Sequence, residues 1–423
     1  MVWTDRGFVA RQVAIDQDRY TSVAAREQDR VIDLSPTCYV IPGLFDVHVH
    51  LRQPGYSYKE TIASGTRAAA RGGCTAVGAM PNLDPVPDSV DNLGWEQDWI
   101  ERDALIDVWP YASITVGQRG RQVVPVEQLA PHVLGFSDDG HGVQDWAVMA
   151  EAMTRMAAVG AVMAVHAEDA RLRGDGWVNQ GPYAGLFGSP GVPGAAEYRQ
   201  IERDLELVRQ TGCRYHVCHV STRQSVELIR AAKADNLPVS CETAPHYLTL
   251  SDADLRDDGG FRMNPPLRSS ADRAALVEAL AEGVIDCVAT DHAPHASWEK
   301  AGGMRGSANG IVGLETAWRV LYTRLVGRGL LSLEQLVDRM AVAPRRLFGQ
   351  ARPIVADGLA DLTVIDTDRT EVIDPTAFVS MGRGTPFAGW QTNGDVVLTI
   401  HHGDVVYDGW DGARAGAVGG AGR

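Results

Sequence analysis

The stretch Gly43–Tyr56, GLFDVHVHLRQPGY, sets two histidines and an arginine at alternate positions beside an apolar run. Side chains two residues apart on a β-strand lie on the same face, so we expect His48, His50 and Arg52 to point the same way. Burying two imidazoles without partners is costly, which makes a chance pair at a strand edge the weaker interpretation. Because neutral imidazole is the commonest metal ligand in proteins, the pattern predicts a metal site on a buried strand.

The composition of the 423-residue chain is typical of a soluble globular protein, with 45% hydrophobic and 22% charged residues. The net charge of −15 argues against nucleic acid as a partner, because nucleic acid attracts basic surfaces. We find no apolar signal-peptide core near the N-terminus and no run of about 18 apolar residues that could cross a membrane. The six cysteines are scattered without a CxxC pair, which favours reduced thiols and a cytoplasmic location.

Eight apolar runs typical of β-strands recur along the chain and alternate with helical stretches rich in alanine and leucine. The runs are FDVHVHL, CTAVGAM, VWPYASITV, HVLGFSDD, AVMAVHAE, RYHVCHVS, LPVSCETAP and IDCVATDHAP. Eight strands alternating with helices predict an α/β fold, a (β/α)8 barrel of the TIM type. A doubly wound sheet is the alternative, but no G-x-G-x-x-G motif follows any of the strands.

The two ends of the chain have a different pattern, made of short alternating strands. Residues 1–41 and 354–410 are predicted to combine into a small β-sandwich that flanks the barrel, which would itself span residues 42–353. The last residues, 411–423, are rich in glycine and alanine, and we expect them to form a flexible tail.

Polar residues follow the predicted strands at the ends where a (β/α)8 barrel carries its chemistry. In chain order they are His48 and His50, Asp138 and Asp139, His166, His219, and Asp291 followed by His295. No single spacing among them is diagnostic. An HxH pair, two later histidines and an aspartate on the last strand nevertheless form a specific set.

This set resembles that of the amidohydrolase superfamily, and further motifs resemble those of bacterial class I dihydroorotases. The motifs are DVHVHLRQPG, AMPNLDPV, GFSDDGHGVQ, AVHAEDARL, HVCHVSTRQSVELI, ETAPHYLTL, RMNPPLR, ATDHAPH and GIVGLETA. They cover the chain from about Gly43 to about Gly349. The resemblance implies a barrel that binds one or two divalent metal ions, which we expect to be zinc from the histidine and carboxylate ligands.

In the resembling family the HxH pair binds the first metal, and two later histidines bind the second. The last aspartate is a ligand of the first metal and the catalytic acid–base. Carried over to this chain, the implied ligands are His48, His50, His166, His219 and Asp291. Some relatives bridge the metals with a carboxylated lysine, but this chain has no lysine between Lys59 and Lys233. The resemblance therefore places the bridge in the DDG stretch, at Asp139, with Asp138 as the alternative.

The resemblance also implies a set of substrate contacts. The arginine after HxH, the asparagine of MPN and the histidine of DHAPH hold the substrate carboxylate in the family, and RMNPPLR supplies a further contact. The corresponding residues here are Arg52, Asn82, His295 and Asn264. Where the family often has an aromatic residue before the glycine of GIVGLETA, this chain has Asn309 before Gly310, whose backbones we expect on the substrate. The glycine-rich segment 299–310 is interpreted either as a lid or as an ordinary mobile loop.

The implied function is reversible hydrolysis of the cyclic amide of (S)-dihydroorotate to N-carbamoyl-L-aspartate, in pyrimidine biosynthesis. A metal-bound hydroxide would attack the cyclic amide, with Asp291 as acid–base. An arginine side chain can form two parallel hydrogen bonds with the carboxylate of this small anionic substrate. One alternative is another cyclic amidohydrolase, acting on a hydantoin, allantoin or a secondary-metabolite imide. The other is an inactive relative that serves aspartate transcarbamoylase as a structural partner, although all the candidate metal ligands are present. We expect a homodimer, and a complex with aspartate transcarbamoylase is allowed.

Overall fold

The computed structural model describes residues 1–23 and 31–410, whose strands form three sheets. The strands are β1 Val2–Thr4, β2 Gly7–Val9, β3 Ala14–Asp16, β4 Arg19–Thr21, β5 Cys38–Pro42, β6 Leu44–Val49, β7 Cys74–Ala79, β8 Asp107–Ala112, β9 Gly135–Phe136, β10 Val162–Val165, β11 Arg214–Val217, β12 Val239–Thr243, β13 Cys287–Val288, β14 Leu362–Val372, β15 Gln391–His401 and β16 Asp404–Asp408.

Helices cover most of the connections between the central strands. They are α1 Ile62–Arg71, α2 Val90–Asp103, α3 Val126–Leu129, α4 Trp146–Val159, α5 Ala170–Arg173, α6 Ala195–Thr211, α7 Arg223–Ala234, α8 Pro245–Thr249, α9 Ser270–Glu282, α10 Gly303–Gly306, α11 Ala317–Leu321, α12 Leu333–Val337 and α13 Ala343–Leu347. Helices α11 and α12 continue directly into the π-helical turns Tyr322–Val326 and Asp338–Val342.

Eight parallel strands, β6 to β13 in chain order, form the barrel that the alternating pattern predicts. A parallel bridge between Val49 and His292 joins the first strand to the chain just after the last one. The amide of His50 also donates a hydrogen bond to the carbonyl oxygen of His292, over 2.8 Å. The sheet is therefore closed, and each of the eight predicted runs overlaps one of its strands. The predicted fold class is confirmed.

Buried apolar side chains from the barrel strands meet in the barrel interior. Phe45 and Val47 of β6 cluster there with Tyr111 of β8 and Ala164 of β10. The ring of Phe348 closes this cluster, with its centroid 6.3 Å from Phe45 and 6.4 Å from Tyr111 in edge-to-face geometry. Because these apolar side chains fill the barrel interior, polar side chains gather at the carboxyl ends of the strands.

Side-chain caps begin the helices that follow functional strands. The hydroxyl of Thr61 accepts a hydrogen bond from the amide of Ser64 at the start of α1, over 3.0 Å. Thr222 does the same for the amide of Ser225 at the start of α7, over 3.2 Å. Because such caps satisfy amides that have no partner within the helix, they define where the strand-end loops stop.

The terminal segments build a six-stranded sheet in the order β16-β15-β14-β5-β1-β2 and a separate β3-β4 hairpin. Strand β5 pairs with β14 in antiparallel fashion, so the two ends of the chain share one sheet. Val40, Leu362 and Val364 of this sheet bury an apolar face together with Tyr20 of the hairpin. These flanking sheets agree with the predicted fold class, whereas the exact domain limits stay predictions. The predicted flexible tail, 411–423, lies outside the described residues.

The cysteines and the apolar character of the helices can also be described. All six cysteines are buried and unpaired, as the absence of a CxxC pair predicts. Of the helices within residues 1–23 and 31–410, none is both long and apolar enough to cross a membrane.

Candidate metal centre and active site

Six polar side chains that the sequence singles out meet at the carboxyl ends of neighbouring barrel strands. They are His48 of β6, His50 just after it, Asp139 after β9, His166 after β10, His219 after β11 and Asp291 after β13. Each of them is at least nine-tenths buried. Because parallel strands bring their carboxyl ends to one face of the barrel, residues up to 243 positions apart converge there.

The backbone around this face departs from regular strand geometry, which corrects one expectation. Strand β6 ends at Val49, and Arg52 has a φ of +61°, so Arg52 does not continue the strand face of His48. His219 and Asp291 also have positive φ, +35° and +49°. Non-glycine residues rarely adopt this region, and each such residue costs on the order of 1–3 kcal/mol. Strain of this kind concentrates where the fold must aim a functional side chain.

The first half of the cluster surrounds the Nε2 atoms of His48 and His50. The Oδ1 of Asp291 lies 3.5 Å from Nε2 of His48 and 3.1 Å from Nε2 of His50. Two ligands of a tetrahedral metal ion with bonds of about 2 Å are themselves about 3.3 Å apart. The three side chains therefore have the spacing that a shared divalent metal ion requires, and they form one of the candidate metal groups of the structure.

The second half of the cluster contains the two later histidines. The Nδ1 of His166 and the Nε2 of His219 are 2.9 Å apart. The Oδ1 of Asp139 lies 3.5 Å from Nε2 of His219 and 3.8 Å from Nδ1 of His166. Within the described residues, this Oδ1 and the Nε2 of His48, which is 3.5 Å away, are buried without a hydrogen-bond partner. Since unpaired buried polar atoms are costly, the donor set fits a bound metal ion.

Asp139 lies between the two halves, whereas Asp138 does not. The Oδ2 of Asp139 is 3.5 Å from Nε2 of His50, so the two carboxylate oxygens face both histidine pairs. The Asp138 carboxylate instead accepts hydrogen bonds from the amides of Ile114 and Thr115, over 2.8 and 3.1 Å, and from the Thr115 hydroxyl. The geometry favours Asp139 as the bridging ligand, and that assignment stays a prediction.

The charges of the cluster favour cation binding. Burial raises the pKa of Asp139, but His48, His219, His50 and His166 together bring it well below its usual value. Burial likewise raises the pKa of Asp291, and His48 and His50 lower it to a net decrease. Both aspartates are therefore ionised in a site that is almost dry, where a divalent cation gains the most.

Glu242 is a functional residue that the sequence analysis missed. Its Oε1 accepts a hydrogen bond from Nδ1 of His48 over 2.7 Å, and its Oε2 accepts one from Nε2 of His216 over 3.1 Å. A carboxylate on one ring nitrogen fixes the tautomer and leaves the other nitrogen free to bind metal. A signal was present, because a glutamate inside the buried strand VSCET needs a partner.

The residues expected on the substrate carboxylate form a second group beside the metal centre. The Nε of Arg52 donates to the carbonyl oxygen of Pro294 over 3.2 Å, and its Nη2 lies 3.4 Å from Nε2 of His295. Nε2 of His295 donates to the carbonyl oxygen of Asn309 over 2.7 Å. Burial, Arg52 and Lys59 lower the pKa of His295 to about 4, so this imidazole is neutral near pH 7. Arg52 and His295 are thus adjacent, and their contact with a substrate carboxylate stays a prediction.

The two expected asparagines contact the metal-ligand loops themselves. Nδ2 of Asn82 donates to the carbonyl oxygen of Asp139 over 2.7 Å, and its Oδ1 is buried without a hydrogen-bond partner in the described part of the chain. Nδ2 of Asn264 donates to Oε2 of Glu168 over 2.9 Å and lies 3.3 Å from Nε2 of His166. Both side chains therefore lie at the edge of the metal centre, and their contact with a substrate stays a prediction.

Gly310 occupies a position that only glycine fits. It has a φ of +131°, and a Cβ built there would lie 2.6 Å from the carbonyl oxygen of Ala293 and 3.1 Å from Cδ2 of His295. The segment before it is tied down, because the half-buried ammonium of Lys300 donates to the carbonyl oxygens of Arg262, Ala308 and Gly310. In this structure residues 299–310 are anchored, and the lid interpretation stays a prediction.

Lys59 and Glu299 support His295 and were not predicted. The Nζ of Lys59 lies 3.5 Å from Nδ1 of His295 and 2.9 Å from Oε1 of Glu299. Lys59 is one of only three lysines in the chain, which is the signal that could have drawn attention to it.

Two further histidines of the motifs lie outside the ligand groups. Burial lowers the pKa of His246 to about 4, and its ring packs against Tyr247 with centroids 4.1 Å apart. Nδ1 of His292 accepts a hydrogen bond from the amide of Gly313 over 3.1 Å. Both contacts agree with structural roles.

Comparisons with known proteins identify the family. A family model described as "Dihydro-orotase-like" matches residues 38–225. A dihydroorotase of Geobacillus thermodenitrificans is 47% identical over 379 residues, which are 89% of this chain and 88% of that protein. The chain belongs to the dihydroorotase family.

Further comparisons agree in family and in fold. A dihydroorotase of Bacillus caldolyticus is 45% identical over 89% of this chain and 88% of its own length. Among solved structures, an L-hydantoinase (dihydropyrimidinase) from Arthrobacter aurescens matches with a TM-score of 0.82 and 26% identity, over 94% of this chain and 92% of its own. These matches support dihydroorotase function on an amidohydrolase barrel.

Proposed function

We propose that this chain hydrolyses the cyclic amide of (S)-dihydroorotate to N-carbamoyl-L-aspartate, reversibly, at the metal centre described above. One observation carries the proposal: the Asp139 carboxylate lies between two histidine pairs. Its Oδ1 and the Nε2 of His48 are buried without a hydrogen-bond partner within the described residues, as two metal-binding atoms would be. The family of the chain supplies the reaction, since its dihydroorotase relatives are 42–47% identical over about nine-tenths of the chain.

We propose zinc as the metal, with one or two ions per chain. Imidazole nitrogens and carboxylate oxygens are the donors that zinc takes in catalytic sites, and no thiol belongs to the set His48, His50, Asp139, His166, His219 and Asp291. When bound, such a metal lowers the pKa of a coordinated water and polarises a carbonyl group.

Asp291 is proposed as the acid–base. Its pKa is lowered, so the carboxylate is ionised at neutral pH and can accept a proton from the attacking water. The same group then delivers that proton to the amide nitrogen as the ring C–N bond breaks. Its Oδ1 lies 3.1 Å from Nε2 of His50, so the carboxylate is already placed at the metal centre for both steps.

Arg52 and His295 are proposed to hold the substrate carboxylate, with Asn82, Asn264 and the backbones of Asn309 and Gly310 around the ring. A guanidinium forms charge-assisted, bidentate hydrogen bonds with a carboxylate. The single N–H of the neutral His295 imidazole donates to the Asn309 carbonyl in this structure and would turn to the substrate carboxylate, adding a contact without adding charge. Together these groups would orient the ring amide toward Asp291.

A hydantoinase-like activity is the second candidate, favoured by the structural match to the Arthrobacter aurescens enzyme. A substrate panel separates the two. The purified protein should turn over dihydroorotate at least tenfold faster, as kcat/KM, than hydantoin, dihydrouracil or allantoin. If one of the uncharged rings is the best substrate, the assignment moves to that class.

The setting of the reaction is also proposed. We infer a cytoplasmic enzyme of pyrimidine biosynthesis that forms a homodimer. Aspartate transcarbamoylase is the partner to be tested for a complex. Light scattering after gel filtration measures the mass of the assembly, alone and with the transcarbamoylase of the same organism. A mass of one chain, about 46 kDa, would contradict the dimer.

A further inference from the structure

A second cluster of metal-binding side chain types lies away from the catalytic face, where the barrel meets the flanking sheet. Asp107 is the first residue of β8, at the amino end of a barrel strand. His401 ends β15 of the flanking sheet, His402 follows it, and Asp361 immediately precedes β14. The ligand atoms of these four residues all lie within 4.8 Å of one another. The sequence analysis assigned these residues no role.

The hydrogen bonds of the cluster leave the two outer ring nitrogens aimed at one carboxylate. Oδ1 of Asp361 accepts from Nδ1 of His401 over 3.1 Å, which fixes the tautomer and leaves Nε2 with its lone pair. That Nε2 lies 3.5 Å from Oδ1 of Asp107, and Nε2 of His402 lies 3.8 Å from its Oδ2. These distances are too long for hydrogen bonds but near the roughly 3.3 Å between two ligands of a tetrahedral zinc ion.

Unsatisfied polar atoms at the cluster point to a missing ligand. Asp361 is fully buried, and its Oδ2 has no hydrogen-bond partner in the described ranges. Nε2 of His402 is also buried without a partner there, while its backbone, at a φ of +47°, donates to Oδ1 of Asp361 over 2.9 Å. Groups held this firmly but left unpaired are costly unless something binds them.

Two guanidinium groups lie near the cluster, those of Arg352 and of the buried Arg345, whose charge helps to lower the pKa of Asp361. Nε of Arg352 is 3.4 Å from Oδ2 of Asp361, and its Nη2 is 3.9 Å from Oδ2 of Asp107. Neither of these Arg352 pairs is hydrogen-bonded.

We propose that His401, His402 and Asp107 bind a divalent metal ion of the zinc class, with Oδ1 of Asp361 orienting His401 and its unpaired Oδ2 as a further ligand. Two imidazole nitrogens and carboxylate oxygens are a donor set that zinc accepts, and a water can complete the coordination. The ion would tie the flanking sheet to the amino end of the barrel. Its role is structural, because it lies on the side opposite the catalytic residues. This inference does not depend on the proposed function.

The test compares the purified wild-type chain with His402→Ala. Each protein is equilibrated with zinc chloride, passed through a desalting column and analysed for zinc per chain by mass spectrometry. We expect the wild type to retain one zinc ion more than the variant, with equal dihydroorotate turnover. His132→Ala is the matched control, since His132 is an exposed histidine outside the metal groups of the described residues, and it should retain the wild-type zinc content.

Two further variants keep the inference falsifiable if His402→Ala folds poorly. Asp107→Asn should lose the same zinc ion, and zinc should raise its melting temperature by less than it raises that of the wild type. Arg352→Gln should bind the ion more tightly, because the competing cation is gone. Equal zinc content in the wild type, His402→Ala and Asp107→Asn would overturn the site, and so would weaker zinc binding by Arg352→Gln.

Discussion

The Nδ1 of His48 and the Oε1 of Glu242 lie 2.7 Å apart across the barrel, although 194 positions separate them in the chain. Burial alone would lower the pKa of His48, but Glu242, Asp139 and Asp291 raise it well above its usual value. The contact fixes the ring so that Nε2 faces Asp139 and Asp291, where a bound metal ion would displace its proton. Glu242 is therefore a positioning residue for the metal centre.

Glu242→Gln should weaken metal binding while leaving the fold intact. Glutamine keeps the shape of the side chain but loses the charge that holds the imidazole, and loss of such a partner typically costs about 10- to 100-fold in metal affinity. Chelator competition measures the affinity. Glu96→Gln is the control, because Glu96 is equally buried but lies on α2, outside the metal groups found in the described chain. Equal affinities in both variants would remove Glu242 from the site.

Asp139→Ala should lose metal and activity, whereas Asp138→Ala should mainly lose stability. Asp139 faces both histidine pairs, and no other carboxylate in the described residues does so. Removing Asp138 leaves the amides of Ile114 and Thr115 unpaired, at a cost of about 1–3 kcal/mol in unfolding free energy. Metal analysis and thermal unfolding separate the two effects. Greater metal loss in Asp138→Ala would move the bridge one residue back.

Arg52→Met should selectively damage turnover of a substrate that carries a carboxylate. The lost charge-assisted contact is worth about 1.5–3 kcal/mol, or roughly 10- to 150-fold in kcat/KM. Metal content should not change, because arginine is no ligand, and the weak turnover of dihydrouracil should change little. Loss of zinc in the variant would instead make Arg52 part of the structure around the first metal. Unchanged dihydroorotate turnover would show that other groups hold the carboxylate.

His295 should make stability depend on pH on the acidic side of neutrality. Its pKa in the folded protein is about 4, below the ordinary value of about 6.5, so the unfolded chain binds the proton more readily. The stability linked to His295 is complete above about pH 6.5 and is lost as the pH falls toward 4, by up to about 3 kcal/mol. Between pH 7 and pH 4.5 the melting temperature of His295→Asn should therefore fall by less than that of the wild type. An equal loss in both proteins would contradict the neutral, buried imidazole.

The barrel and the convergence of the ligand residues could be predicted because they depend on a repeating local pattern. Each strand run is apolar and ends in a polar residue, and a closed parallel barrel brings such ends together whatever the intervening sequence. The prediction that Arg52 shares a strand face with His48 and His50 was wrong because β6 ends at Val49. The left-handed backbone conformation of Arg52 cannot be recognised from the neighbouring residue types.

The supporting residues could not be predicted because they depend on register between distant strands. Glu242 reaches His48 only because both side chains enter the same layer of the barrel. The ion pair of Lys59 with Glu299 likewise joins two loops that the chain does not connect locally. The difference between Asp138 and Asp139 is of the same kind, since two adjacent aspartates look alike until the loop after β8 binds one of them.

The central claim is tested most directly by measuring dihydroorotate hydrolysis in a single protein preparation, first as purified, then after the metal has been removed, and finally after metal has been added back. The account predicts that the purified protein contains one or two zinc ions per catalytic centre and loses its activity when a chelator removes them. Zinc added back should restore activity in the wild type but not in Asp139→Ala. A metal-free protein that still hydrolyses dihydroorotate at the original rate would contradict the account.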